Sequence, residues 1–147
     1  MNVVRVSGPD VSQAAPLFAE YREFYGEPYD LDLATAFLTE RLAQKESIVL
    51  IALDGETPVG FTQIYPSFSS TRLAPIWILN DLFVAEAARG TGAVDALLDS
   101  AATLAKEAGA IAIELATTHT NLRAQSVYDR HSYQPDDHYK HYEKPLA

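Results

Sequence analysis

A mixed α/β (α+β) domain is the fold class this sequence predicts, and three observations carry it. Residues 77–84, Trp-Ile-Leu-Asn-Asp-Leu-Phe-Val, form an apolar run rich in β-formers, which reads as a largely buried central strand. Gly90 and Gly92 follow it, and then Val94, Leu97, Leu98, Ala101, Leu104 and Ala105 recur on one stripe of a 3.6-residue helix. Residues 110–116 are apolar again, so strand, loop, helix and strand imply a parallel crossover.

The remaining elements follow in chain order. Residues 3–6 read as a first strand closed by Gly8-Pro9. Asp10 or Ser12 can cap a helix with Ala14, Leu17, Phe18, Tyr21 and Phe24 or Tyr25 on its apolar face, Pro16 being expected in or near its first turn. Gly26 and Pro28 end that helix. Asp30 or Asp32 opens a second, with Ala34, Phe37, Leu38, Arg41 and Leu42 on neighbouring turns. Residues 47–53, the turn Asp54-Gly55 and residues 57–65 predict a β-hairpin, and residues 66–75 a loop before the central strand. Gly109 supplies a stop to the helix after Gly92. Asn121 is a good cap for a helix through about Arg130. Tyr133 and residues 139–144 read as closing antiparallel strands around an acidic loop at Asp136-Asp137. No repeat or linker interrupts residues 1–147, which read as a single domain.

The totals exclude several classes. A chain of 147 residues with 48% apolar and 21% charged residues has the size and balance of one globular domain. With no cysteine there is no disulfide framework and no thiolate nucleophile. His119, His131, His138 and His141 lack metal-ligand spacing, so no metal is expected. No apolar run reaches the roughly 18–20 residues of a membrane span, and no basic-then-apolar leader opens the chain. A cytoplasmic protein without a membrane partner is therefore expected. A net charge of −9 argues against nucleic acid as a partner and suits cationic small substrates, although solubility also accounts for acidic charge.

Glycines ahead of a helix can hold an anion through free N–H groups and the helix dipole, or can simply make a turn. A dinucleotide-binding turn would put glycine almost directly after the strand and a third at the position of Asp95; a P-loop would need Gly-Lys-Ser/Thr. The stretch instead resembles the pyrophosphate-binding motif of the GNAT superfamily of acetyl-CoA-dependent N-acetyltransferases: Gln/Arg, any, any, Gly, any, Gly/Ala, after a strand ending like Leu-Phe-Val. Residues 87–92, Ala-Ala-Arg-Gly-Thr-Gly, match at both glycines and place Ala87 at the first position. Asn121, Ala124 and Tyr128 match the family's late Asn-x-x-Ala-x-x-x-Tyr helix, with Ser132-Tyr133 in place of its usual Gly-Phe or Gly-Tyr, so serine serves a turn that favours positive φ. The order of elements is also that of the GNAT fold. The resemblance thus implies a mostly antiparallel central sheet, a parallel β-α-β crossover at the acetyl-CoA site, and about four helices.

The resemblance implies roles for particular residues. Leu82, Phe83 and Val84 would lie along the coenzyme's pantetheine arm, with the Val84 N–H donating to the thioester oxygen. Arg89, Gly90, Thr91, Gly92 and Ala93 would hold the pyrophosphate, and Asn121 could reach the coenzyme or serve only as a cap. Tyr128 matches the family's general acid on the coenzyme sulfur, its alternative being a packed helix tyrosine. The residues themselves make Asp81 a candidate base, because a carboxylate in an apolar strand must find a partner or solvent; satisfaction by a neighbouring helix or loop is the equal alternative. It lies three residues before Val84 and so faces the other way unless a bulge intervenes. Tyr25, Tyr29, Asp30 and Asp81 form the candidate acceptor set, with core packing the alternative for each aromatic ring.

The expected function is transfer of the acetyl group of acetyl-CoA to the primary amine of a small cationic metabolite or a peptide by direct attack. The central stretch is similar to the polyamine and histone acetyltransferase branch. The alternative is a non-catalytic acyl-CoA-binding or protein-interaction module of the same fold; a nucleotide-binding oxidoreductase is more distant. GNAT-like proteins are often dimers, which makes a homodimer a state to test.

Overall fold

The computed structural model describes residues 1–147, in two compact units, 1–116 and 117–147. The first unit is built on a five-stranded sheet in the order β1-β2-β3-β4-β5: Asn2–Arg5, Ile48–Asp54, Thr57–Ser69, Ala74–Val84 and Ile113–Glu114. The first four strands are antiparallel, and β4 pairs β5 in parallel. With the helices, this is a mixed α/β arrangement, a mostly antiparallel sheet with one parallel crossover, as the resemblance implied.

The helices α1 (Val11–Phe24) and α2 (Leu31–Ala43) cover one face of the sheet. Ala14, Leu17, Phe18, Ala34 and Leu38 join Val49, Ile51 and Phe61 in one buried cluster. Each Leu or Phe so buried contributes about 1.5–3 kcal/mol over its exposed state. The third helix, α3 (Ala93–Glu107), takes the opposite face. Gly60, adjacent to Phe61 and so turned the other way, would bring a Cβ to 3.1 Å from Val84 Cγ2 and 3.3 Å from Leu97 Cδ1. A side chain there would force Val84 and Leu97 to give way by a few tenths of an ångström. No helix is long and apolar enough to cross a membrane.

Asp30 is the cap of α2, its Oδ1 accepting from the Leu33 N–H at 3.0 Å. Pro16 lies in the second turn of α1 rather than the first, so it has no N–H to give the Ser12 carbonyl, and the buried flanks Ala15 and Leu17 hold the helix there. The hairpin forms with Asp54 as the last residue of β2 and Gly55-Glu56 as the turn, Gly55 adopting φ 62°.

Three expectations fail for physical reasons. Residues 66–69 belong to β3, not to a loop: β2 stops pairing at Ile48–Ile64, so β3 beyond it has one free edge, where Pro66 is tolerated opposite Trp77. The strand expected over 110–116 shrinks to Ile113–Glu114 and is only partly buried, because it pairs on one side alone. The closing strands are absent. Asp136 Oδ1 accepts from the N–H groups of His138 and Tyr139, a local turn that competes with a ladder; Pro135 and Pro145 lack donors, and Tyr139 and Tyr142 stay exposed.

The second unit holds α4 (Leu122–Arg130), capped by Asn121 Oδ1 accepting from the Ala124 N–H at 3.1 Å. It ends with Tyr133 N–H donating to Tyr128 O and Ser132 N–H to Asp129 O, a Schellman motif with Ser132 at φ 68°. Serine therefore occupies the glycine position, as the sequence implied. Ser132→Gly is expected to stabilise this turn by about 1 kcal/mol, the approximate cost of a side chain in the left-handed region. Thermal melts of the two proteins would check it, and an unchanged or lower Tm would show that the serine hydroxyl compensates.

Candidate active site

The β3–β4 register slips at one place. Gln63 pairs with Asp81 and Ile64 with Leu79, leaving Asn80 as an extra residue on β4. The bulge is clamped by the Thr62 hydroxyl, which donates to the Asp81 carbonyl at 2.7 Å. It precedes Asp81, so pairing from Asp81 to Val84 is regular and those two side chains face opposite sides of the sheet. Val84 lies beside Gly60 and Leu97 on the α3 face; Asp81, with Phe83, lies under α1.

Asp81 is only 4% exposed. Its Oδ2 accepts from Gln63 Nε2 at 2.6 Å, its Oδ1 from Asn80 Nδ2 at 2.8 Å, and the Tyr21 phenol donates to the same carboxylate. Burial raises its pKa above the ordinary carboxylate range, and these three donors pull the other way without cancelling it. Tyr65, on the same face as Gln63, is pushed up to about 12, first by burial and then by the Asp81 charge, with Arg41 opposing. The fold thus encloses a polar group, Tyr21, Gln63, Tyr65 and Asp81, inside an apolar helix–sheet layer. Of these the sequence identified Asp81 as a base candidate and placed Tyr21 on the apolar face of the first helix. Gln63 was missed. The signal was there: Thr62-Gln63 interrupts a strand as apolar as the one around Asp81.

The edge of β4 beyond this group is open. β5 pairs only Trp77 and Ile78, and no strand pairs Leu79–Val84 on that side. Ala85 N–H donates inward to Val59 O at 2.8 Å, so by alternation the Val84 N–H points outward from the sheet. The chain then makes one 3-10 turn, Glu86–Ala88, and reaches Arg89. Arg89 turns back, its Nε donating to Val84 O at 3.4 Å and its guanidinium lying 6.0 Å from the Phe24 ring centre. Gly90 and Gly92 take φ 81° and 88°, and open space lies where a Cβ would be at either. Thr91 bonds Ala88 through both its N–H and its hydroxyl. Ala93 opens α3, and the first backbone bond of that helix is from Ala96 N–H to Gly92 O at 3.0 Å, leaving the first turn's N–H groups without a helical acceptor. An outward N–H on a free strand edge, followed by a glycine-lined helix start, fits an acyl-pantetheine with its pyrophosphate.

The acceptor candidates divide. The Tyr25 ring centre lies 4.9 Å from that of Tyr21, the ring that reaches Asp81, tilted by 60°, and 5.3 Å from that of Phe24, edge to face; it is 57% exposed. Tyr29 is exposed, and the Asp30 carboxylate is committed to its helix cap. In the second unit Tyr128 lies 5.9 Å from Tyr133, whose phenol burial pushes up to about 12 with Tyr128 a lesser cause. No group of three or more His, Cys, Asp or Glu is gathered as a metal site.

Residues 14–133 match the profile of the Acetyltransferase (GNAT) family. The chain is 44% identical over 142 residues to the uncharacterized N-acetyltransferase YhfO of Bacillus subtilis strain 168, covering 97% of this chain and 95% of that one. It is 35% identical over 102 residues to a probable acetyltransferase of Haemophilus influenzae Rd, covering 69% and 70%. A crystal structure of a probable acetyltransferase superposes with a TM-score of 0.94 at 39% identity, covering 100% and 99% of the two chains. A family whose cosubstrate is acetyl-CoA, matched over most of the chain, accounts for the open β4 edge and the glycine-lined start of α3: this protein belongs to the GNAT family of acetyltransferases.

Proposed function

We propose that the protein transfers acetyl from acetyl-CoA to the primary amine of a small cationic metabolite or peptide, by direct attack of the amine, with residues 1–147 acting as one catalytic domain. The observation that carries this reading is Asp81: a buried carboxylate, with neutral hydrogen-bond partners, on the strand whose open edge presents the Val84 N–H. An alkyl amine reaches the enzyme as an ammonium and must lose a proton before it can attack. Asp81 takes that proton, directly or through water, and its raised pKa brings it nearer to the amine's own.

Acetyl-CoA supplies an acyl group activated as a thioester. The Val84 N–H donates to the acyl oxygen where charge develops, a contribution of about 3 kcal/mol for such donors. The N–H groups of Gly90 to Ala93 bind the pyrophosphate, while Leu82 and Phe83 carry the strand edge along the pantetheine. Arg89 adds positive charge once it leaves the Val84 carbonyl. Tyr128, at the family's acid position, holds the proton that the departing sulfur needs, and Asn121 orders the start of its helix.

Glu20, Glu23 and Glu27 lie exposed along α1 and its exit, close in sequence to Tyr25 and Tyr29. Together they raise the local concentration of cations, and the ring faces can hold an ammonium. Cationic amines are therefore expected to outcompete neutral and acidic acceptors in a thiol-release panel, with kcat/KM falling as salt rises. Victory of neutral or anionic acceptors without salt dependence would remove this substrate class. Acetyl-CoA binding with no thiol released by any amine would point instead to a non-catalytic module.

A further inference from the structure

We propose that Gln63 is a positioning residue for Asp81, its carboxamide turning over as the carboxyl group gains and loses its proton. The inference rests on the reading of Asp81 as the base. Gln63 is fully buried, at 0% exposure. Its Nε2 donates to Asp81 Oδ2 at 2.6 Å, while its Oε1, equally buried, has no hydrogen-bond partner. A buried amide with one end bonded and the other bare is a poor choice for stability alone, since an apolar side chain of the same size would leave nothing unsatisfied.

The bare oxygen has a use in the other protonation state. When Asp81 takes the amine's proton, the N–H bond breaks, its electron pair stays on nitrogen, and an O–H bond forms on the carboxyl group. The Nε2–H groups then face a donor. Rotation of the carboxamide by half a turn presents Oε1 to that hydroxyl and moves Nε2 to the place Oε1 held. Each arrangement leaves one amide atom without a partner, so neither state is favoured on that account. The proton later departs to solvent as the amide turns back.

The surrounding groups leave this task to Gln63. Tyr21 of α1 and Asn80 of β4 donate to the carboxylate, and Asn80 is solvent-exposed and can reorient freely. Tyr65 of β3 keeps its phenolic proton, and Arg41 of α2 acts on Tyr65. Gln63 alone combines full burial, a short bond to Asp81 and an unused acceptor.

The test is a pH titration of the full-length protein without coenzyme, following the Asp81 carboxyl carbon and the Gln63 side-chain amide by NMR. The amide resonances are expected to move with the carboxyl midpoint; amide resonances that stay fixed while Asp81 titrates would overturn the proposal. Gln63→Met removes both arrangements at nearly constant volume. Because the ionised state loses the stronger bond, the carboxyl midpoint should rise by about one pH unit, and the acid limb of kcat/KM with it. A folded Gln63→Met with an unmoved midpoint would also overturn it. If the variant fails to fold, the wild-type titration still decides. An amide that follows the titration while Asp81→Asn retains full activity would sustain the turnover and sink only the assignment of Asp81 as base.

Discussion

Gly92→Glu is expected to abolish acetyl-CoA binding while the sheet and its helices remain folded. Gly92 caps α3 at φ 88°, exposed, with no heavy atom within 4 Å of the position a Cβ would take. A Cβ therefore meets no protein atom there, and the rest of the side chain is expected to enter the space ahead of the helix, where the first-turn N–H groups would bind phosphate. Its carboxylate would satisfy those donors and repel the anion. The backbone cost, about 1–2 kcal/mol for a side chain in the left-handed region, is shared by Gly92→Ala. The alanine variant separates strain from charge: it should melt like the glutamate variant yet keep measurable affinity by calorimetry. Wild-type affinity in folded Gly92→Glu would move the pyrophosphate elsewhere.

Asp81→Asn should lower kcat/KM by roughly 10²- to 10⁴-fold, the range for a lost general base, with the acid limb of the pH profile disappearing. In the wild type that limb should lie above the ordinary carboxylate range, because burial holds the proton on Asp81. Stability should respond in the opposite sense. Between the unfolded and the higher folded pKa the native state binds the proton and the unfolded chain does not, so stability attributable to Asp81 falls as pH rises through that window. Asp81→Asn lacks this loss. Its stability relative to wild type should grow from acid toward neutral pH in denaturant melts, and a flat difference would show that Asp81 ionises unhindered.

The helices were legible because each carries its own punctuation: Asp30 and Asn121 as caps, Gly26 and Gly109 as left-handed stops. The parallel crossover and the hairpin were legible for the same reason, since local turn chemistry and periodicity both specify them. Even the opposed orientation of Asp81 and Val84 followed from the two-residue repeat of a strand. The group around Asp81 did not. Gln63 reaches it only through cross-strand register, which the extra residue Asn80 sets, and Tyr21 only through the packing of α1. The C-terminal residues misled because Tyr133 and residues 139–144, set on either side of an acidic loop, read as paired strands, whereas Asp136 takes the N–H groups of His138 and Tyr139 into a local turn. Long-range pairing has no local signature.

The two-residue contact between β4 and β5 has a consequence for handling the protein. An apolar strand whose outer N–H and C=O groups pair with no other strand is a template for another chain's backbone, the usual origin of sheet-to-sheet association. Leu79–Val84 has that character, and its one carboxylate is turned inward under α1, where it cannot act as a charged guard. A ligand lying along this edge would occupy those groups, leaving the net charge of −9 as the empty protein's main defence against clumping. Amide protons of Leu82 and Val84 should accordingly exchange with deuterated solvent faster in the empty protein than in the acetyl-CoA complex, and turbidity on storage near the pI of 4.7 should fall when the cosubstrate is present.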